Sequence, residues 1–262
     1  GFSSAIADMC LVVVAWRLDP ETPLIVAGNR DEFHSRPASP AGWWDDTPGI
    51  LGGRDLEAGG TWLAIHRAGR FATVTNFHDA DPVRDARRSR GHLVTDFVSA
   101  RQSPLEFLES VDGERYAGFN LLLSDGETLA YGSNRGPQAV LLEAGIYGLS
   151  NALLDTPWSK VERSKGQLNR LLAARATDAD AMLDLLDDRV PGPVEEARER
   201  RAPFPEAHAI TAPFIVLPDY GTRCSTVVRV GADDAWEFVE RRFDAAGAVA
   251  GESRYSLTTA ED

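Results

Sequence analysis

Cys10 follows Met9 at the head of an apolar run, and it is one of only two cysteines in 262 residues, the other being Cys224. A thiol at the start of a strand serves equally well as a small core hydrophobe, but this position adds a second chemistry. If translation starts at Met9, removal of that methionine is expected because cysteine is small. Cys10 would then carry a thiol and a free α-amine. Such an amine titrates near ~7.7 to 8.0, so it can take the thiol proton at neutral pH without a histidine. One residue would supply both nucleophile and base.

The cluster Asn29-Arg30-Asp31-Glu32 ends the next apolar run. The Asp31 carboxylate could hold the amine or the thiol in place, and Arg30 or Arg223 could favour a thiolate electrostatically. If the strand continues through the cluster, Arg30 points to the face opposite Asp31, which predicts weaker cationic support for the thiol. Asn76 and Asn151 also end apolar runs, and their amides could donate to a developing oxyanion. Asn29 and Arg30 are candidates for substrate contact. So are the adjacent Trp43 and Trp44, two aromatics in a Pro- and Gly-rich passage that could line an apolar acyl or macrocycle pocket.

These residues need rigid elements behind them. Leu11 to Trp16 and Leu24 to Gly28 are β-branched-rich runs separated by a turn with Pro20 and Pro23, which predicts a hairpin buried on both faces. Thr61 to His66 and Phe71 to Phe77 repeat the plan around Gly69. The passage from Ser35 to Gly60 reads as a long loop over a site. Helical spacing covers His92 to Val98 and Pro104 to Val111, the second capped by Ser103. Strands are expected at Phe119 to Leu123, Thr128 to Gly132, Ala139 to Leu142 and Ile146 to Ser150. Helices follow from Pro157 to Ala174 and from Asp178 to Asp187. The chain then returns to strands at Ile210 to Leu217, Ser225 to Val230 and Ala235 to Phe243. Strands at both ends with helices between predict an α+β fold whose sheets are sandwiched between helices.

Composition excludes several classes of partner. A formal net charge of -13 repels phosphate backbones and anionic lipid, so nucleic acid is not an expected partner. No apolar stretch is long enough to span a bilayer. Two cysteines cannot build a disulfide framework or a CxxC zinc site, and no carboxylate and histidine set has helical metal-ligand spacing, which predicts a cytoplasmic protein that holds no metal. Gly1 to Asp8 lack the basic start and apolar segment of a secretory signal and read as a short leader or an expression remnant, with a single domain over 9–262. Oligomeric state stays open.

Several blocks, in order, carry a resemblance: Met9-Cys10, Asn29-Arg30-Asp31-Glu32-Phe33, Ser35-Arg36-Pro37, Gly59-Gly60-Thr61-Trp62-Leu63, Thr75-Asn76, Gly148-Leu149-Ser150-Asn151-Ala152 with Thr156-Pro157-Trp158, and Tyr220-Gly221-Thr222-Arg223. Together they resemble the NRDE family, also called the Transport and Golgi organisation protein 2 family. That family in turn resembles cysteine N-terminal-nucleophile hydrolases of the choloylglycine hydrolase and penicillin V acylase type, which implies an αββα sandwich. The resemblance implies Cys10 as nucleophile, Asp31 as the carboxylate near it, Asn76 and Asn151 at the oxyanion position and Arg223 as supporting cation. One departure stands out: those hydrolases commonly have an arginine three positions before the aspartate, where this chain has Gly28.

The expected function is hydrolysis or transfer at an amide or thioester of a small apolar acyl substrate through Cys10, with no cofactor required. The alternative is non-catalytic binding and trafficking of haem or of a lipid or acyl-CoA, roles to which members of the family are linked. Haem would need an axial ligand from Cys10, His34, His66, His78, His92 or His208. The basic cluster Arg84, Arg87, Arg88 and Arg90 could meet its propionates.

Overall fold

The computed structural model describes residues 9–78, 88–198 and 206–259. Thirteen strands and six helices follow one another in these segments. They are β1 (Leu11–Trp16), β2 (Leu24–Phe33), β3 (Ala38–Trp43), β4 (Ile50–Asp55), β5 (Leu63–His66) and β6 (Arg70–Asn76), then α1 (Gly91–Ser99), α2 (Pro104–Ser110), β7 (Phe119–Ser124), β8 (Leu129–Ser133), β9 (Val140–Leu141) and β10 (Gly145–Leu149). After these come α3 (Ser159–Ala173), α4 (Ala179–Leu186), α5 (Val194–Arg198), α6 (Glu206–Ala209), β11 (Tyr220–Val230), β12 (Ala235–Phe243) and β13 (Val249–Thr258).

The strands form two antiparallel sheets, ordered β10-β1-β2-β11-β12-β13 and β3-β4-β5-β6-β7-β8-β9. Period-2 alternation sorts each strand into two faces. From β1 and β2, Val12, Val14, Leu24 and Val26 meet Leu63, Phe71 and Leu122 of the second sheet in a central core. Val13, Ala15, Ile25 and Ala27 instead pack on Leu168 of α3 and Met182 and Leu183 of α4. The second sheet turns Ala64, Ala72 and Leu121 to Phe97 of α1 and Phe107 of α2. Helix, sheet, sheet, helix is the αββα order expected, and the near-continuous burial of β1 and β2 follows from cover on both faces.

Helix α2 shows how local chemistry fixes a boundary. The Ser103 hydroxyl accepts from the Glu106 backbone N–H, and the Glu106 carboxylate accepts from Ser103 N at 2.9 Å, with Pro104 opening the helix. This is a reciprocal capping box. Ser103→Ala should lower stability by about 1 kcal/mol, read as the midpoint of denaturant unfolding, and an unchanged midpoint would remove the cap's contribution.

Three expectations need correction, and one strand lies beyond the expected elements. The passage from Ser35 to Gly60 is not a plain loop but contains β3 and β4. Pro40 is tolerated because β3 is a sheet edge with irregular pairing between Ser39 and Gly42, where a missing N–H costs no ladder bond. Ile210 to Leu217 is not a strand. Ile210 N bonds back to Glu206 O and Ala212 N to Ala209 O, so Ile210 and Ile215 are buried as irregular chain packed on Met9 and Tyr220, while Val216 stays exposed. Helix α3 starts at Ser159 rather than Pro157, because the Thr156 hydroxyl donates to Leu153 O instead of capping. Strand β13 went unread: its solvent face carries Glu252 and Arg254, paired with Arg241 and Asp180, the charged guard of an exposed sheet edge.

Candidate active site

Cys10 stands one residue before β1, and the sheet register decides what surrounds it. Leu11 pairs with Asn29, so Cys10 lies across from Arg30. Arg30 pairs with Cys224 on β11, and Cys224 with Arg242 on β12. Directly paired residues share a face, so Cys10, Arg30, Cys224 and Arg242 form one row across four strands. All four line a cavity of about 430 Å³ at the end of the two sheets. The expectation for Arg30 is therefore corrected. Its side chain does oppose that of Asp31, but Cys10 is on the Arg30 side.

Gly28 is two residues from Arg30 on the same face of β2. A Cβ there would approach Leu11 O to 2.9 Å and the Trp62 ring to 3.1 Å. No arginine fits at position 28. The guanidinium on this face comes instead from Arg30, one step nearer the cavity. Gly28→Arg should abolish soluble folded protein, and a cooperatively folded variant on circular dichroism would refute this close packing.

On the helix side of the sheet, a buried polar centre lies behind Cys10. Met9 is buried against Ile210, Ile215 and Tyr220. Its N–H donates to the Tyr220 hydroxyl at 2.6 Å, and its carbonyl accepts from Lys160 Nζ at 2.8 Å. Lys160 comes from α3 and is fully buried. The Cys10 carbonyl accepts from Ser150 Oγ at 2.7 Å. Asp31 completes the centre: Oδ1 accepts from Thr222 Oγ1 at 2.6 Å, while Oδ2 is buried without a hydrogen-bond partner. Burial pushes the Asp31 carboxyl up to about 7, with Lys160, Thr222 and Arg30 pulling it back. An orphaned carboxylate oxygen calls for a cationic or N–H donor.

The other candidates divide. Asn76, at the end of β6, lines the cavity. Asn151 does not line it; its Nδ2 donates to Asn76 O at 2.9 Å and its Oδ1 accepts from Ser150. Asn151 thus ties Asn76 to the segment that holds Cys10. Arg223 is the extra residue of the β-bulge between Thr222 and Cys224, which turns it into the cavity wall. There Nη1 donates to the carbonyls of Phe33, His34 and Arg36. Burial and then Arg30 lower its pKa. Asn29 faces the helices and donates to Leu186 O and Pro213 O while accepting from Ser225.

Trp43 and Trp44 do not line the cavity. Trp43 packs edge-on against Tyr255 with Arg67 over its face, and Trp44 donates to Gly52 O beneath Arg54. Apolar wall comes instead from Phe33, Trp62, Val74 and Phe243. None of the five histidines lines the cavity; His34 and His208 each place Nε2 on a backbone carbonyl. Of the basic cluster, Arg90 lines the cavity and Arg88 pairs with Asp96, while Arg84 and Arg87 lie outside the described residues. Sequence reasoning missed Lys160. Its signal, a lysine among the buried positions of an amphipathic helix right after Thr156-Pro157-Trp158, was there to be read.

No described helix is long and apolar enough to cross a membrane. In fold, the chain is similar to an N-acylethanolamine-hydrolyzing acid amidase ortholog of Caenorhabditis elegans, with a TM-score of 0.53, 11% identity and coverage of 85% of this chain and 93% of that one. It is also similar to a mutant conjugated bile acid hydrolase of Clostridium perfringens, with a TM-score of 0.52, 9% identity and coverage of 95% and 92%. These likenesses establish an N-terminal-nucleophile-hydrolase-like fold. In sequence, it is 38% identical to the Transport and Golgi organization protein 2 homolog of Bos taurus and 37% to that of Homo sapiens, each over 89% of this chain and 92% of the relative. The Drosophila melanogaster protein of that name is 29% identical over 88% and 91%. Residues 9–245 match the family described as Transport and Golgi organisation 2, and the chain belongs to that family.

Proposed function

We propose that the chain is an N-terminal-cysteine hydrolase or acyltransferase acting on an amide or thioester. The observation that carries this reading is the placement of Cys10. Its thiol faces a cavity wide enough for an acyl chain, Arg30 is opposite it, and its own carbonyl is held by Ser150 Oγ at 2.7 Å, a bond that a chain beginning at Cys10 keeps.

In a chain that begins at Cys10, the α-amine would take the thiol proton and the thiolate would attack the substrate carbonyl. The oxyanion would meet the Asn76 amide. The amine would return its proton to the leaving amine or thiol, and water would then release the acyl group from Cys10. Arg30 favours the thiolate, and Asp31 with Lys160 sets the position and charge of the amine. Delivery of haem or a lipid is the competing use of the same cavity, but the five histidines point elsewhere and would leave Cys10 as the axial ligand.

The deciding experiment labels a chain beginning at Cys10 with an electrophilic acyl probe and locates the adduct by peptide mass analysis. The adduct should lie on Cys10 and not on Cys224, whose thiol is pushed well up by burial and by nearby Glu240. Asn76→Ala should lower kcat by about 10²-fold or more. Equal labelling of both thiols with no turnover across a panel of acyl amides and thioesters would overturn the hydrolase reading. A saturable Soret shift with haem, lost in Cys10→Ala, would then put binding first.

A further inference from the structure

The cavity wall has a charge opposite to that of the whole chain. Six arginines line it, namely Arg30, Arg36, Arg54, Arg90, Arg223 and Arg242, against four carboxyl groups, Asp31, Glu32, Asp55 and Glu240. Two of the four are poor counter-charges. Asp31 faces the helices, and Glu240 Oε1 is already engaged by the Ala41 backbone N–H at 2.8 Å. The chain as a whole has a formal net charge of -13. A cluster of guanidiniums in one recess of an acidic protein focuses positive potential there.

The arginines are not equally occupied. Arg36 is held by Asp55 and Glu57, and Arg54 by Asp46. Arg30 meets Glu32 only at 3.6 Å, and Arg242 meets Glu240 only at 3.5 Å while donating to the neutral Ser253 hydroxyl at 2.8 Å. Arg223 bonds to carbonyl oxygens, which leave its charge uncancelled, and burial and then the neighbouring Arg30 depress its pKa. An anion bridging these guanidiniums would relieve that repulsion through charge-assisted, bidentate hydrogen bonds. Trp62, Val74 and Phe243 add apolar surface to the same cavity.

We infer that the substrate is an anionic amphiphile: an acyl compound with a carboxylate or phosphate group seated on the Arg30, Arg223 and Arg242 side. Strands are ~4.8 Å apart, so the charged group lies about 5 to 14 Å from the carbonyl attacked by Cys10, between the first and third strand spacings along the row. This inference deepens the hydrolase reading and rests on it for the word substrate, but ligand binding can be tested without turnover.

The test uses matched thioesters with a chain beginning at Cys10: decanoyl 3-mercaptopropionate, its neutral amide counterpart, and a phosphate-bearing analogue. Carboxylate or phosphate should raise kcat/KM by about tenfold or more over the neutral compound, with the advantage shrinking as salt is added. Arg242→Gln should reduce that ratio. In parallel, Cys10→Ala protein, which cannot turn over, is titrated by calorimetry with dodecanoate, dodecyl phosphate and dodecanol. Tighter binding of either anion than of dodecanol, weakened in Arg242→Gln, supports the anionic seat even if no thioester is hydrolysed. Equal affinity for all three, or tighter binding of the alcohol, overturns it. Hydrolysis of neutral and anionic thioesters at equal rates would leave the hydrolase reading standing and remove this one.

Discussion

A chain that begins at Cys10 should turn over acyl thioesters at least about 10²-fold faster than the same chain with Met9 retained. With Met9 in place, the Cys10 nitrogen is an amide and cannot accept a proton, and general-base assistance typically contributes ~10² to 10⁴ in rate. The fold should not differ much, because the strands that hold the site begin at Leu11. The comparison is made by preparing both termini, confirming each by intact mass, and measuring kcat with one thioester. Equal rates would show that the amine plays no part.

Replacing Lys160 by methionine in that shorter chain should move the acid limb of the pH–rate profile upward by about one to two pH units. Lys160 Nζ is 2.8 Å from Met9 O, and the C=O and C–N bonds of ~1.2 and ~1.3 Å then put it within about 5 Å of the Cys10 nitrogen. Two cations at that distance repel by on the order of 3 kcal/mol at an effective dielectric of ~20. Lys160 therefore favours the neutral, basic amine. The charged groups facing the amine are Asp31 and, farther along β2 and β11, Arg30, Glu32 and Arg223; of these Asp31 opposes Lys160. Asp31→Asn should shift the same limb downward. A profile that falls in height with no change in its midpoint would make Lys160 a packing residue only.

Asp31 also makes stability depend on pH. Its carboxyl has an ordinary value of 3.8 and is raised to about 7 in the chain that carries Met9. The folded state thus holds this proton more tightly than the unfolded chain does. The sign follows: the contribution is fully present below pH ~4 and is lost as pH rises to about 7, on the order of 4 kcal/mol. Asp31→Asn should flatten the unfolding midpoint across that window. A parallel slope in both proteins would place the titration elsewhere.

Much of this was legible in residue order. The β-branched runs gave β1, β2, β5 and β6, because cover on both faces leaves a continuous apolar signature. Cys10, Asp31, Asn76 and Arg223 all line the cavity because each lies within three residues of a strand end. What stayed hidden depends on pairing. That Arg30 shares a face with Cys10 follows from Leu11 meeting Asn29, and register between strands is not written in either strand alone. Strand β3 was masked by Pro40 and Gly42, and β13 by its charged outer face. Trp43 and Trp44 were read as pocket aromatics, yet strand pairing turns each onto a cationic partner instead.

The row across the first sheet has a consequence for oxidative damage. Cys10 and Cys224 sit two strands apart, about 10 Å between backbones, well beyond the ~7 Å within which two cysteines can be bridged without moving the chain. Arg30 stands between them. An oxidant that converts the Cys10 thiolate to a sulfenic acid would therefore find no resolving thiol in reach, and further oxidation to the sulfinic acid would be irreversible. The protein should lose activity to peroxide in a way that a reductant rescues only when added early. A protein with this row has no internal means of storing Cys10 safely as a disulfide.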